Sequence, residues 1–313
     1  MCFLVHIALL LLLPIPCNGI TPLILSGEKA PDGAYPFVVQ LCHHGFKTAF
    51  CTGTLISDRH VLTAAHCISH LHTPDHEKFV IEDVKIMVGS DISLCSQKRI
   101  KRRYRYGVAQ GIPHPNYDHK TLFNDIAIIT LNRNASLQIR HKLPFDDEKF
   151  RIRARARVFG WGMTCSQHEA QTHGHGHAGA QHLYLHHIVW LAQETCKQRY
   201  DDCGLRSDSA DMTFCGGSPC GGTWHGDSGG PVLVRDRVTD TDYVVGVTSF
   251  GLNPPEYSQF SVDHDQIDLP TTYTRVSRYC DFIREATDGE AICAAECVRW
   301  SLFIVFIVAL LTV

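Results

Sequence analysis

No excess of charge marks this 313-residue chain: 29 Lys and Arg stand against 32 Asp and Glu, a formal −3. That balance gives no global case for nucleic-acid binding. Charged residues make up 19% and apolar ones 44%, which argues against a disordered, collagen-like or polytopic membrane protein. Internal repeats and linker-like stretches are missing, and helical periodicity is sparse. Long apolar runs are confined to the two ends. Cysteine, by contrast, is abundant, with 14 residues, and points to an oxidising compartment and disulfides. At about 150 residues per domain, the length allows one large or two small domains.

Met1–Gly19 reads as a secretory signal: an apolar run from Ile7 to Leu13 is followed by small residues at Cys17 and Gly19. The segment 20–23 then reads as a short propeptide. The C-terminal run Ser301–Val313 is too short to cross a bilayer core of about 30 Å comfortably as a helix. Small residues at Gly289-Glu290-Ala291 and a spacer to Trp300 fit a glycolipid-anchor signal over 287–313. A short membrane helix and a buried tail stay open as alternatives. The expected location is extracellular, secreted or attached to the outer surface through the C-terminus.

Between the ends, short β-like runs are broken by Gly, Pro, Asn and His. Phe37–Leu41, Ile126–Leu131, Val232–Val234 and Val244–Val247 are strand candidates, and Arg275–Ala286 is the one helix expected. Arg151–Val158 alternates, sending four arginines to one face and four apolar residues to the other. That face, like the cluster Lys98, Arg99, Lys101, Arg102, Arg103 and Arg105, reads as solvated surface, with anion binding as the alternative. Gln167–His187 carries seven histidines in a Gly-rich setting that offers no preformed metal geometry. It reads as a solvated insertion, and no metal or cofactor is assigned.

Three segments carry chemistry: Leu62-Thr63-Ala64-Ala65-His66-Cys67, Asn124-Asp125-Ile126-Ala127 and Gly226-Asp227-Ser228-Gly229-Gly230-Pro231. A serine hydroxyl attacks only when a base takes its proton, and histidine titrates in the right range. A buried carboxylate fixes the imidazole tautomer, and glycines let backbone N–H groups meet the developing oxyanion. Gly226–Gly230 also satisfies G-x-S-x-G, but an α/β-hydrolase runs Ser, acid, His. Here the order is His66, Asp125, Ser228.

These segments resemble those of the trypsin/chymotrypsin-like serine peptidases. Ile24-Leu25-Ser26-Gly27, Tyr35–Val39, Cys51–Ile56, Phe159-Gly160-Trp161-Gly162 and Pro270–Val276 extend the likeness. The resemblance implies an all-β fold of two packed six-stranded antiparallel barrels with a C-terminal helix over 24–286. It implies His66 as base and acid, Asp125 as its orienter and Ser228 as nucleophile. The N–H groups of Gly226 and Ser228 would form the oxyanion hole. The freed amino group of Ile24 would pair with Asp227, and bridges Cys51–Cys67 and Cys196–Cys215 are implied.

Departures shape specificity. The pocket-base position falls on Gly222, and no acid lies between Cys215 and Gly226, so a basic side chain has no counter-charge. With walls at Ser249, Phe250, Gly251 and Thr271, the expected cleavage is after small or medium apolar residues. Leu23 replaces the usual basic residue before the mature start, and Trp224 replaces a usual cysteine. Cys42, Cys95, Cys165, Cys203, Cys220 and Cys280 have no partner assignable from spacing. Asn134-Ala135-Ser136 is an N-glycosylation sequon. The expected partners are a protein or peptide substrate and protein inhibitors, without nucleic acid. A non-catalytic homologue acting by binding, and a metal-binding surface protein, are the competing functions.

Overall fold

A computed structural model describes residues 27–43, 48–69, 81–150, 155–162, 180–202, 211–218, 223, 225–251 and 270–294. After a short strand β1 (Glu28–Lys29), the chain forms β2 (Val38–Cys42), β3 (Cys51–Leu55) and β4 (His60–Thr63). Three more strands follow: β5 (Lys85–Met87), β6 (Arg105–Pro113) and β7 (Ala127–Leu131). They close into an antiparallel barrel in the order β2-β3-β4-β7-β6-β5. After β8 (Leu143–Pro144), a second set comprises β9 (Arg155–Gly160), β10 (Tyr184–Trp190) and β11 (Thr213–Gly217). It continues with β12 (Pro231–Asp236), β13 (Thr241–Phe250) and β14 (Thr271–Arg275). Their order is β10-β11-β14-β13-β12-β9, and pairing of β9 with β10 closes this barrel too, with β1 joined to β10. The expected two-barrel all-β fold is therefore present.

The apolar runs follow from this geometry. Strands between two packed barrels bury both faces, so they lose the polar-out alternation of a solvated sheet. In β12, Val232 and Val234 fill the second barrel while Leu233 packs with the core shared with the first. In β9, Ala156 and Val158 point into the second barrel, and Phe159 joins the shared core. Arg155 and Arg157 lie on the outer face of that strand; 151–154 lie outside the described residues.

Three features differ from the expectations. The helix expected over Arg275–Ala286 begins only at α2 (Cys280–Ala286), because Arg275 ends β14 and Val276–Tyr279 forms a 3₁₀ turn. A buried ion pair sets that start: Arg275 Nη2 lies 2.5 Å from Asp147 Oδ1 and Nε 3.1 Å from Oδ2, while Ser277 Oγ donates to Oδ2 at 2.9 Å. The histidine-rich segment ends inside β10, where His186 pairs with Val158 and His187 with Arg157; 167–179 lie outside the described residues. The fold also continues past Ala286. Cys280 is bonded to Cys293, and β15 (Cys293–Ala294) pairs with β8. Glu290 Oε2 lies 3.3 Å from His60 Nδ1, and Ala291 is buried. A second disulfide not assignable from spacing joins Cys42 to Cys95. The expected signal, propeptide and tail from Ala295 onward lie outside the described residues, as do Cys165, Cys203, Cys220 and Cys297. No helix among the described residues is long and apolar enough to cross a membrane.

Candidate active site

His66 opens α1 (His66–Ser69), directly after β4 and the small residues Ala64 and Ala65. The disulfide Cys51–Cys67 fastens the next residue to β3. Asp125 arrives from the β6–β7 connection of the same barrel, and its side chain is fully buried. The residue before it, Asn124, takes a left-handed backbone (φ 56°) and is held by both side-chain atoms. Its Nδ2 donates to Asn116 O at 2.8 Å, and its Oδ1 accepts from Tyr279 OH at 3.1 Å.

This placement puts imidazole and carboxylate in register. Asp125 Oδ2 lies 2.8 Å from His66 Nδ1, and Oδ1 accepts the His66 backbone N–H at 2.9 Å. The second barrel contributes Ser249 Oγ, which donates to Asp125 Oδ2 at 2.5 Å, and Thr274 Oγ1, which donates to Asp125 O at 3.0 Å. Burying a carboxylate is costly unless such donors satisfy its oxygens. Burial opposes protonation of His66, but the charge and hydrogen bond of Asp125 outweigh it and raise the imidazole pKa above its ordinary 6.5.

Ser228 is half-buried in the loop leading into β12. Its carbonyl accepts Thr52 N at 2.8 Å. Cys67 Sγ lies 3.7 Å from both that carbonyl and His66 Nε2. The surrounding glycines are required sterically. Gly229 has φ +79°, and a Cβ there would lie 2.1 Å from Thr63 Oγ1; Gly226 has φ +102° beside Gly162. Asp227 between them is fully buried and accepts the N–H of Gly162 at 2.8 Å. Ile24 lies outside the described residues.

Of the expected pocket residues, Gly222 also lies outside the described residues. Thr271 is present with a neighbour that the sequence reading did not single out: its Oγ1 is 3.0 Å from Thr223 Oγ1. Gly251 faces Thr271, since a Cβ on Gly251 would lie 3.6 Å from Thr271 Oγ1. Phe250 packs against the Cys196–Cys215 disulfide. Ser249, expected as a wall, turns its hydroxyl to Asp125. No local motif announces that role; only the pairing of the barrels brings residues 124 positions apart together.

Two closed antiparallel barrels meeting at such a seam are the architecture of a serine-type endopeptidase. The Trypsin family profile matches residues 24–283, and the chain belongs to that family. Among curated relatives, it is 28% identical over 284 residues to a proclotting enzyme of Tachypleus tridentatus, covering 86% of this chain and 67% of that one. It is 29% identical over 281 residues to serine protease 1 of Drosophila melanogaster, covering 88% and 90%. A venom serine protease of Polistes dominula is 26% identical over 277 residues, covering 87% and 88%. The chain is accordingly a serine endopeptidase that acts on protein substrates.

Proposed function

We propose that His66, Asp125 and Ser228 form the catalytic triad of this endopeptidase. The observation that carries this is the 2.8 Å contact of His66 Nδ1 with the buried Asp125 carboxylate. That bond holds the proton on Nδ1 and leaves the Nε2 lone pair on the side of Ser228. Nε2 takes the hydroxyl proton as Ser228 Oγ attacks the scissile carbonyl, then gives it to the leaving amine. Water repeats the sequence to release the acyl group. The N–H groups of Gly226 and Ser228 stabilise the oxyanion. In the mature chain the amino group of Ile24 pairs with Asp227, which is anchored between Gly160 and Gly162.

The substrate side chain is small or medium and apolar. The paired hydroxyls of Thr223 and Thr271 support this by narrowing the pocket, and no carboxylate at Gly222 awaits a basic group. The protein is extracellular, with 1–19 as signal and 20–23 as propeptide; four disulfides among the described residues fit that compartment. A C-terminal lipid anchor fits the apolar end. Because β15 and the Cys280–Cys293 bond belong to the fold, the anchor junction lies beyond Ala294 rather than at Gly289.

A fluorophosphonate probe tests the triad. Protein with its N-terminus at Ile24 is expected to be labelled at Ser228 and to lose the label on Ser228→Ala. Absence of label on the correctly processed chain would rule the triad out.

A further inference from the structure

The first barrel carries a basic groove at the end of β6 away from Asp125. The groove, of about 600 Å3, opens between the start of β6 and the segments around Lys85 and Arg133. Lys85, Arg102, Arg105 and Arg133 line it, and Ile100 and Val108 form apolar wall between them. The sequence feeding it is one-signed: from Ile92 to Tyr117 there is no Asp or Glu, against six Lys and Arg.

Two observations distinguish this groove from ordinary solvated surface. First, among the described residues its cations have no counter-ion. Arg133 donates to the carbonyls of Arg102 and Arg105 and lies 3.7 Å from the centre of the Tyr106 ring. Lys85 donates to the carbonyls of Glu82 and Val84. Glu82 is the one carboxylate on the wall, and it forms no ion pair with any of the four among the described residues. The second basic groove, beneath β9 and β12, is different: there Arg157 and Arg235 are neutralised by Asp240 and Asp242. Second, the Arg133 guanidinium is fixed by stacking and by two carbonyls, so little side-chain freedom remains to be lost on binding. Like charges held together without partners repel, and an anion relieves that repulsion.

We propose that this groove binds an acidic protein segment carrying an apolar side chain. The carboxylates meet Arg102, Arg105 and Lys85, and the apolar group enters between Ile100 and Val108. The apolar wall favours a peptide over a sulfated glycan, which has no side chain to fill it. From Gly107 to Pro113 the strand β6 runs about 20 Å at 3.4 Å per residue. Pro113 pairs with Ala127, two residues from Asp125, so the groove lies at the far end of β6 from the proposed triad. An occupant there holds a protein partner without entering the cleft.

The test is fluorescence anisotropy with a labelled decapeptide containing four Asp or Glu around one Phe, on the Ser228→Ala protein so that the probe is not cut. Binding is expected to weaken at least 10-fold with R102E/R105E, at least 3-fold when the peptide Phe becomes Ser, and steeply with added salt. In the active background, R102E/R105E should hydrolyse a short amide substrate at the unaltered rate, which reports an intact fold. R102Q and R105Q singly are the fallback if it does not, with at least 3-fold weaker binding expected of each. Equal affinity in folded variants, indifference to the Phe, or binding of a heparin-derived hexasaccharide without the peptide would overturn the proposal.

Discussion

The Asp125 carboxylate accepts from the His66 main chain, the His66 ring and the Ser249 hydroxyl. Each bond has a separate chemical effect: the first orients the loop, the second fixes the tautomer, and the third keeps a buried charge satisfied. Asp125→Asn is expected to present the wrong ring nitrogen to Ser228 and lower kcat by roughly 10⁴-fold. With His66 as the proposed base, its raised pKa sets the acid limb of kcat/KM. The base works only when neutral, so activity rises with pH through a midpoint above 6.5, the ordinary histidine value. A limb centred below 6.5 would contradict the Asp125 pairing. In the pocket, Thr223→Gly with Thr271→Gly removes both hydroxyls and several heavy atoms. The ratio of kcat/KM for a leucine over an alanine substrate is expected to rise about 10-fold or more, read from matched chromogenic peptides.

At the scale of elements, the Asp147–Arg275 pair joins the segment after β8 to the end of β14 and decides where the C-terminal helix starts. Arg275 is 3% exposed and Asp147 is fully buried, so losing the acid leaves the buried cation with only the largely exposed Asp211, 3.3 Å from Nη1, as counter-charge. Asp147→Ala is expected to destabilise the protein by about 3–5 kcal/mol, measured by chemical denaturation. Nothing in the sequence announced this pair: Arg275 lies inside a helical period, and its partner is 128 positions away. Ser249, Thr223 and the Cys42–Cys95 bridge were hidden for the same reason, since each gains its role through a long-range contact without a local signature. The strands were legible because burial of both faces writes continuous apolar runs such as Val232-Leu233-Val234. The motifs around His66, Asp125 and Ser228 stand out in the sequence because tight backbone requirements place Ala, Asn and Gly beside them. The first half of β10 was obscured by His186 and His187, which read as loop but fit a strand with one buried and one exposed face.

Across the whole molecule, two histidines make the packing acid-sensitive. His141 is 7% exposed and stacks on Phe37 at 4.3 Å between ring centres. Burial pushes its pKa down to about 4, only partly offset by Asp242. Burial likewise lowers His60, where the C-terminal Glu290 makes contact. Both groups bind protons more readily in the unfolded chain, so stability falls as pH drops below 6.5 and stops falling once the folded-state pKa is passed. For His141 the window is 6.5 to about 4, and the loss is on the order of 3 kcal/mol. His141→Phe is expected to flatten that part of the profile, read as Tm against pH; an unchanged slope would refute the assignment.

The hydrogen bonds from Ser249 and Thr274 to Asp125 also order events during synthesis. A ribosome finishes the first barrel, with His66 and Asp125, more than a hundred residues before Ser249 and Thr274 emerge. The carboxylate that sustains the imidazole is therefore complete only once the second half has folded against the first. On the proposed triad, a growing chain has no working cleft with which to cut itself or its neighbours, and a truncated chain ending before β13 has none either.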